Sequence, residues 1–138
     1  MHPSAPIPDL ASPPQADTTG PVPFLVGSRC GDCGTRAFPA RTVCPRCARP
    51  RPEPSPLGSR GRLYSWTTVH VSSSRPTPYD IGYVDLSDPE GVGVRVLAPL
   101  LAHPGGGWQV DQPVELAQDP DSPAGWAFAD SRRTGTVR

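Results

Sequence analysis

All four cysteines of this chain fall in two C-x2-C pairs, Cys30-Gly31-Asp32-Cys33 and Cys44-Pro45-Arg46-Cys47, separated by ten residues. That spacing constrains the fold more than any other feature. A C-x2-C turn brings two sulfurs to one edge, and two such turns facing each other supply four soft ligands at the corners of a small volume. Gly34 follows the first pair, where a positive φ is often needed, and Pro45 pre-sets φ inside the second. Phe38-Pro39 is expected at the tip between the two turns. Two disulfides or four free thiols are the competing readings; the cytoplasmic location expected below argues against disulfides, and four unused thiols at this spacing would be a coincidence. The spacing therefore predicts a closed, structural metal site at Cys30, Cys33, Cys44 and Cys47, contributing about 10–16 kcal/mol of metal-linked folding. Zinc is the expected ion; iron in an electron-carrier role uses the same ligands.

The rest of the chain excludes several classes. With 138 residues there is room for one domain or two very small ones. The 21 Pro and 14 Gly make up about a quarter of the chain, and the runs that amphipathic helices need are missing, which excludes a helical bundle. No stretch approaches the ~18 apolar residues of a membrane span. Met1-His2-Pro3-Ser4 has neither the basic nor the apolar region of a signal peptide. A cytoplasmic protein is expected.

Five segments downstream of the cysteines read as short strands: Leu63 to Val71, Ile81 to Leu86, Val92 to Leu97, Val114 to Ala117 and Trp126 to Ala129. Pro and Gly punctuate each gap. Ala98 to Ala102 is the one place for a short helix, ended by Pro104-Gly105-Gly106-Gly107. Five strands with a brief insertion after the third predict a small OB-type barrel, a β-sandwich fragment being the alternative. The fold class is thus mostly β, a metal ribbon followed by a five-stranded OB-fold barrel.

No catalytic set is legible. The cysteines are committed to metal, and no G-x-S-x-G elbow, Walker loop or Rossmann fingerprint is present. His2 lies in a Pro-rich stretch, His103 precedes a Pro-Gly turn, and His70 sits in a strand between two valines. Asp85 and Asp88 read as solubilising and turn-forming residues. A non-enzymatic binding or scaffolding module is expected.

The residues Cys30-Gly-Asp-Cys33-Gly34, Ala37 to Arg41, Cys44-Pro-Arg-Cys47 and Gly61 to Thr67 together resemble the acyl-CoA-associated family with a rubredoxin-like zinc ribbon and an OB-fold, the domain-of-unknown-function 35 type. Pro78 to Leu86 and Val110 to Leu116 are similar to its barrel strands. The resemblance covers about residues 24–129. It departs from the family at the start, where a helix is replaced by a Pro-rich segment, and at Ala48, where a Gly is common. From it, together with the proline-rich composition of both segments flanking the ribbon, the expected organisation is a flexible tail over 1–23, a zinc ribbon over 24–49, a Pro-rich spacer over 50–60, the OB-fold over 61–130 and a C-terminal tail over 131–138.

The resemblance implies a non-catalytic accessory subunit of a thiolase-like or lipid-transfer-protein-like acyl-CoA enzyme, in a hetero-oligomer, helping to form the acyl-CoA site. On that reading Arg41, Arg46, Arg49 and Arg51 are available for CoA phosphates or acidic side chains. Trp66, Tyr79 and Tyr83 are candidates to line an acyl or pantetheine path. The alternative is a nucleic-acid-binding module, since ribbons and OB barrels both serve that role. Charge argues against it. The formal net charge is zero, yet residues 29–62 hold eight Arg against Asp32 and Glu53, while residues 63–138 hold five Arg against nine acids. A basic ribbon joined to an acidic barrel disfavours nucleic acid on the barrel and makes the ribbon the better surface for an acidic partner or a CoA phosphate.

Overall fold

The computed structural model describes residues 16–20, 23–87, 93–101 and 107–131. Nine strands run in chain order: β1 (Ala16–Asp17), β2 (Phe24–Arg29), β3 (Arg36–Ala37), β4 (Glu53–Pro56), β5 (Arg60–Val69), β6 (Tyr79–Leu86), β7 (Val94–Leu100), β8 (Pro113–Gln118) and β9 (Trp126–Asp130). The last five close a barrel in the order β5-β6-β7-β9-β8. All its pairings are antiparallel except β7 with β9, which meet in parallel at Leu100 and Phe128. This is the five-stranded Greek-key barrel of the OB-fold.

Period-two alternation explains the barrel wall. Along β7, Val94, Val96, Ala98 and Leu100 are buried while Arg95 and Leu97 face out. The same alternation buries Leu63, Val84, Leu86, Val114 and Leu116. A register shift between Leu63 and Ser65 inserts Tyr64 as a bulge, so Leu63 and Trp66 both share the inward set, opposite Val84 and Gly82. Gly82 is required there: a Cβ at this position would lie 2.6 Å from the Ser65 carbonyl oxygen and 3.0 Å from the Leu63 side chain.

The five expected strands are all present, and the expected helix is not. Ala98 to Leu100 continue β7, because Ala98 and Leu100 carry on the inward alternation begun at Val94. Ala102, its last residue, lies outside the described residues. No helix among the described residues is long and apolar enough to cross a membrane.

The Pro-rich segments at both ends of the ribbon differ from their reading as spacer and tail. Within residues 50–60, β4 pairs antiparallel with β2 from Val26↔Pro56 to Arg29↔Glu53. Proline lacks an N–H, so Pro54 and Pro56 suit an outer strand with one edge unpaired. Within residues 1–23, Ala16 and Asp17 pair with Leu25 and Phe24, and Thr18 O accepts a hydrogen bond from Gln118 Nε2 at 2.9 Å. Residues 1–15 and 132–138 lie outside the described residues.

Ribbon and barrel share one core. Leu25 and Leu57 belong to the buried cluster that contains Leu63, Val96, Leu116, Trp126 and Phe128, and Phe38 packs against it. Phe38, expected at the tip between the two cysteine turns, packs against the barrel at Trp126.

Candidate functional site

Two near-repeats of backbone geometry build the metal-binding end. In the first, Cys30 N donates to Thr35 O and Gly34 N to Cys30 O, both at 2.9 Å. In the second, Cys44 N donates to Arg49 O at 2.8 Å and Ala48 N to Cys44 O at 3.0 Å. Gly34 and Ala48 occupy equivalent positions, with φ of 77° and 66°. The absent glycine is thus replaced by an alanine held in the left-handed region, where a Cβ is strained. The Arg46 and Cys47 amides point at Cys44 Sγ from 3.4 and 3.5 Å.

The four Sγ atoms lie within 4.8 Å of one another, with Cys30 3.6 Å from Cys47 and Cys33 3.6 Å from Cys44. Sulfurs around tetrahedral zinc stand about 3.8 Å apart, given Zn–S bonds of ~2.3 Å. Cys30 and Cys44 are buried and Cys33 and Cys47 exposed. Without a cation such crowded thiols split. The Thr35 hydroxyl, then the Thr35 amide, hold the Cys33 thiol down to about 6. Cys44 is lowered by the Cys47 amide. The Arg49 amide pulls Cys47 down, but lost hydration and the neighbouring sulfurs push it up to about 12. A divalent cation held by these four cysteines would take the place of the protons, and four protein ligands would leave its shell closed, as in structural rather than catalytic sites. The donor set fits a structural metal ion.

The arginines divide into three settings. Arg41 and Arg51 come together on a cleft of about 300 Å³ with Ala40, Thr42, Pro52 and Pro54. Arg46 lies on a second cleft, of about 400 Å³, beside Cys33, Gly34 and Thr35, with Arg29 and Arg36, which sequence reasoning missed. Arg29 and Arg36 pair across β2 and β3 on either side of the first turn, and the fold brings Arg46 to the same cleft. Arg49 is instead paired with Asp32, Nε to Oδ2 at 3.2 Å.

The aromatic candidates are not gathered into one path. Trp66 is on the inward set of β5, opposite Gly82, and is 38% exposed. Tyr79 and Tyr83 are on the outward set of β6. Tyr79 carries the Arg75 guanidinium 4.3 Å above its ring, and Tyr83 stands opposite exposed Leu97. Asp85 binds Arg95 at 2.7 Å, consistent with a surface role, and Asp88 lies outside the described residues. His70, the single histidine among the described residues, is exposed just beyond β5.

This arrangement matches two family descriptions in sequence: the ChsH2 rubredoxin-like zinc ribbon domain over residues 22–53 and the ChsH2 C-terminal OB-fold domain over residues 55–119. The chain is also 41% identical over 110 residues to the benzoylsuccinyl-CoA thiolase subunit BbsA of Thauera aromatica, covering 79% of this chain and 71% of that protein. The chain belongs to the ChsH2-type (DUF35) zinc-ribbon/OB-fold family. A DUF35 domain-containing scaffold protein of Methanocaldococcus jannaschii is 37% identical over 81 residues, 56% of this chain and 55% of that one. In three dimensions the fold is similar to the solved Ltp2-ChsH2(DUF35) aldolase, with a TM-score of 0.61 and 24% identity, covering 78% of this chain and 85% of that one. At that identity the likeness concerns the fold alone. The ribbon reading and the barrel reading are both borne out by these matches.

Proposed function

We propose that this DUF35-family chain is a non-catalytic accessory subunit that binds and supports a thiolase-like acyl-CoA enzyme and contributes to its acyl-CoA site, with zinc as its structural ion. One observation carries the reading. The alignment with a protein named as a thiolase subunit spans 110 residues, more than either the ribbon or the barrel match alone supplies. The relatives named as scaffold proteins support the same class of role.

The physical properties agree. The tetrathiolate set fills the shell of a zinc ion, so the metal would stiffen the ribbon and leave no position for substrate. No nucleophile–histidine pair is assembled among the described residues, since His70 stands exposed just beyond β5. What the ribbon does present is cationic: the Arg41–Arg51 cleft and the Arg29–Arg36–Arg46 cleft. Such guanidinium groups suit carboxylates of a partner or phosphates of CoA.

Reconstitution tests this. A thiolase homologue co-expressed with the chain should gain acyl-CoA turnover or solubility over the homologue alone, while the chain alone turns over no acyl-CoA. Turnover by the isolated chain, or a homologue indifferent to it, would refute the reading.

A further inference from the structure

The outer face of β6 and β7 carries an apolar patch that the barrel core does not use. Tyr83 and Leu97 stand opposite each other and are 44% and 53% exposed, and Ile81 and Pro99 form the next outward pair. A single exposed leucine needs no explanation, but a contiguous apolar patch marks a surface of interaction. Each end of the patch is finished by an arginine lying on a tyrosine. Arg95 sits 3.5 Å over Tyr64 while pairing with Asp85, and Arg75 sits 4.3 Å over Tyr79. An apolar centre margined by tyrosine and arginine has the make-up of a protein interface.

Two clefts deepen the Arg75 end. One, of about 270 Å³, lies over Ile81, Leu97 and Pro99, and Pro123 from the β8–β9 turn walls it. The other, of about 370 Å³, holds Asp80, Asp119 and Asp121. The two adjoin, because Arg75 and Tyr79 line both. The Thr68 hydroxyl donates to Asp80 at 2.7 Å and the Asp121 amide to Asp119 at 3.0 Å. None of these three carboxylates meets an arginine among the described residues, whereas Asp32, Asp85, Asp111 and Glu115 each do. An apolar cleft beside an acidic one is complementary to an apolar side chain with a cation next to it.

The position narrows the occupant. The second and third barrel strands, with the β5–β6 loop and the β8–β9 turn, form the side on which OB barrels take extended ligands. Three carboxylates repel the phosphates of an oligonucleotide. Aliphatic walls, and a Tyr79 ring already covered by Arg75, leave little for a sugar chain to stack on. An extended peptide segment suits both clefts.

We propose that the outer face of β6 and β7 is the docking surface for an extended segment of the partner enzyme that carries an apolar side chain beside a lysine or arginine. The apolar side chain lies against Leu97 and Pro99, and the cation enters among Asp80, Asp119 and Asp121. The proposal rests on the accessory-subunit reading and assigns docking to the barrel, on a surface separate from the arginine clefts of the ribbon.

The test is calorimetric titration of the full, zinc-loaded chain with a thiolase homologue that co-purifies with the tagged chain from its native source. Leu97→Asp should weaken binding roughly tenfold or more, the scale of one central interface residue. Tyr83→Ala repeats the test without adding a charge and should weaken it as well. Asp80→Asn combined with Asp121→Asn should weaken it roughly three- to tenfold and flatten its salt dependence. Val110→Asp, exposed in the turn before β8, should leave binding unchanged. The Tm of each variant separates lost docking from lost folding. Unchanged affinity in both Leu97→Asp and Tyr83→Ala would overturn the proposal and leave the accessory-subunit reading standing, with docking elsewhere. A dimer of the chain alone that Leu97→Asp dissociates would overturn it in favour of a second copy. Binding of an oligothymidylate that Tyr83→Ala abolishes would overturn it in favour of nucleic acid. Absence of any thiolase homologue from the purification would overturn the accessory-subunit reading, and the proposal with it.

Discussion

The Phe38 ring meets the Trp126 indole edge to face, with centroids 6.0 Å apart and planes at 71°. Phe38 comes from the segment between the two cysteine pairs and Trp126 from the start of β9. Trp126 in turn meets Phe128, fully buried in the barrel, at 6.2 Å and 89°. A line of rings thus runs from the metal-binding end into the barrel core, which makes the ribbon and barrel mechanically one body.

That contact should be measurable as a coupling. A double-mutant cycle of Phe38→Ala and Trp126→Ala, read by denaturant unfolding, should give an interaction of about 0.5–1.5 kcal/mol, the range for aromatic pairs. Additive effects would show that the rings touch without supporting each other.

Metal removal should unfold more than the ribbon. Cys44→Ser takes away a buried ligand and should abolish metal content, measured by elemental analysis. Since Leu25 and Leu57 share the barrel's buried cluster, the near-UV signal of the tryptophans should change together with it. A chelator should reproduce both effects in the unaltered chain. A colourless protein with one zinc per chain is expected; a red one would assign iron.

Ala48→Gly should stabilise the chain by about 0.5–1 kcal/mol, because the φ of 66° strains alanine but not glycine. The equivalent change in reverse, Gly34→Ala, should destabilise by a similar or larger amount. Thermal unfolding of the metal-loaded forms decides both.

Gly82→Ala should cost about 1–3 kcal/mol, the scale of overpacking, since the new methyl meets the Ser65 carbonyl. Gly20→Ala, at a position open to at least 4 Å, is the control and should be near neutral.

Much of this molecule was legible in its residues. The ligand set followed from cysteine spacing, because thiolate pairs on short turns have few other uses. The barrel strands followed from alternation and Pro/Gly punctuation. The helix at Ala98 failed because a five-residue apolar run has no decisive period, and inward pairing with β6 extended the strand through it. The Pro-rich 50–60 stretch reads as a spacer because proline alternating with polar residues favours extended polyproline II, yet an edge strand needs ladder bonds on only one side. Which arginines share a cleft was not legible at all. Arg29 and Arg46 are 17 positions apart in sequence, and only the folding of the two turns against each other brings them to one cleft.

The proposed role of this chain is the support of a thiolase-like enzyme. Affinity purification of the tagged full chain from its native source, followed by mass spectrometry and sizing of the eluate, tests it most directly. A hetero-oligomer containing a thiolase homologue in stoichiometric amount is the predicted result. Recovery of a stable, unaccompanied monomer would contradict the account.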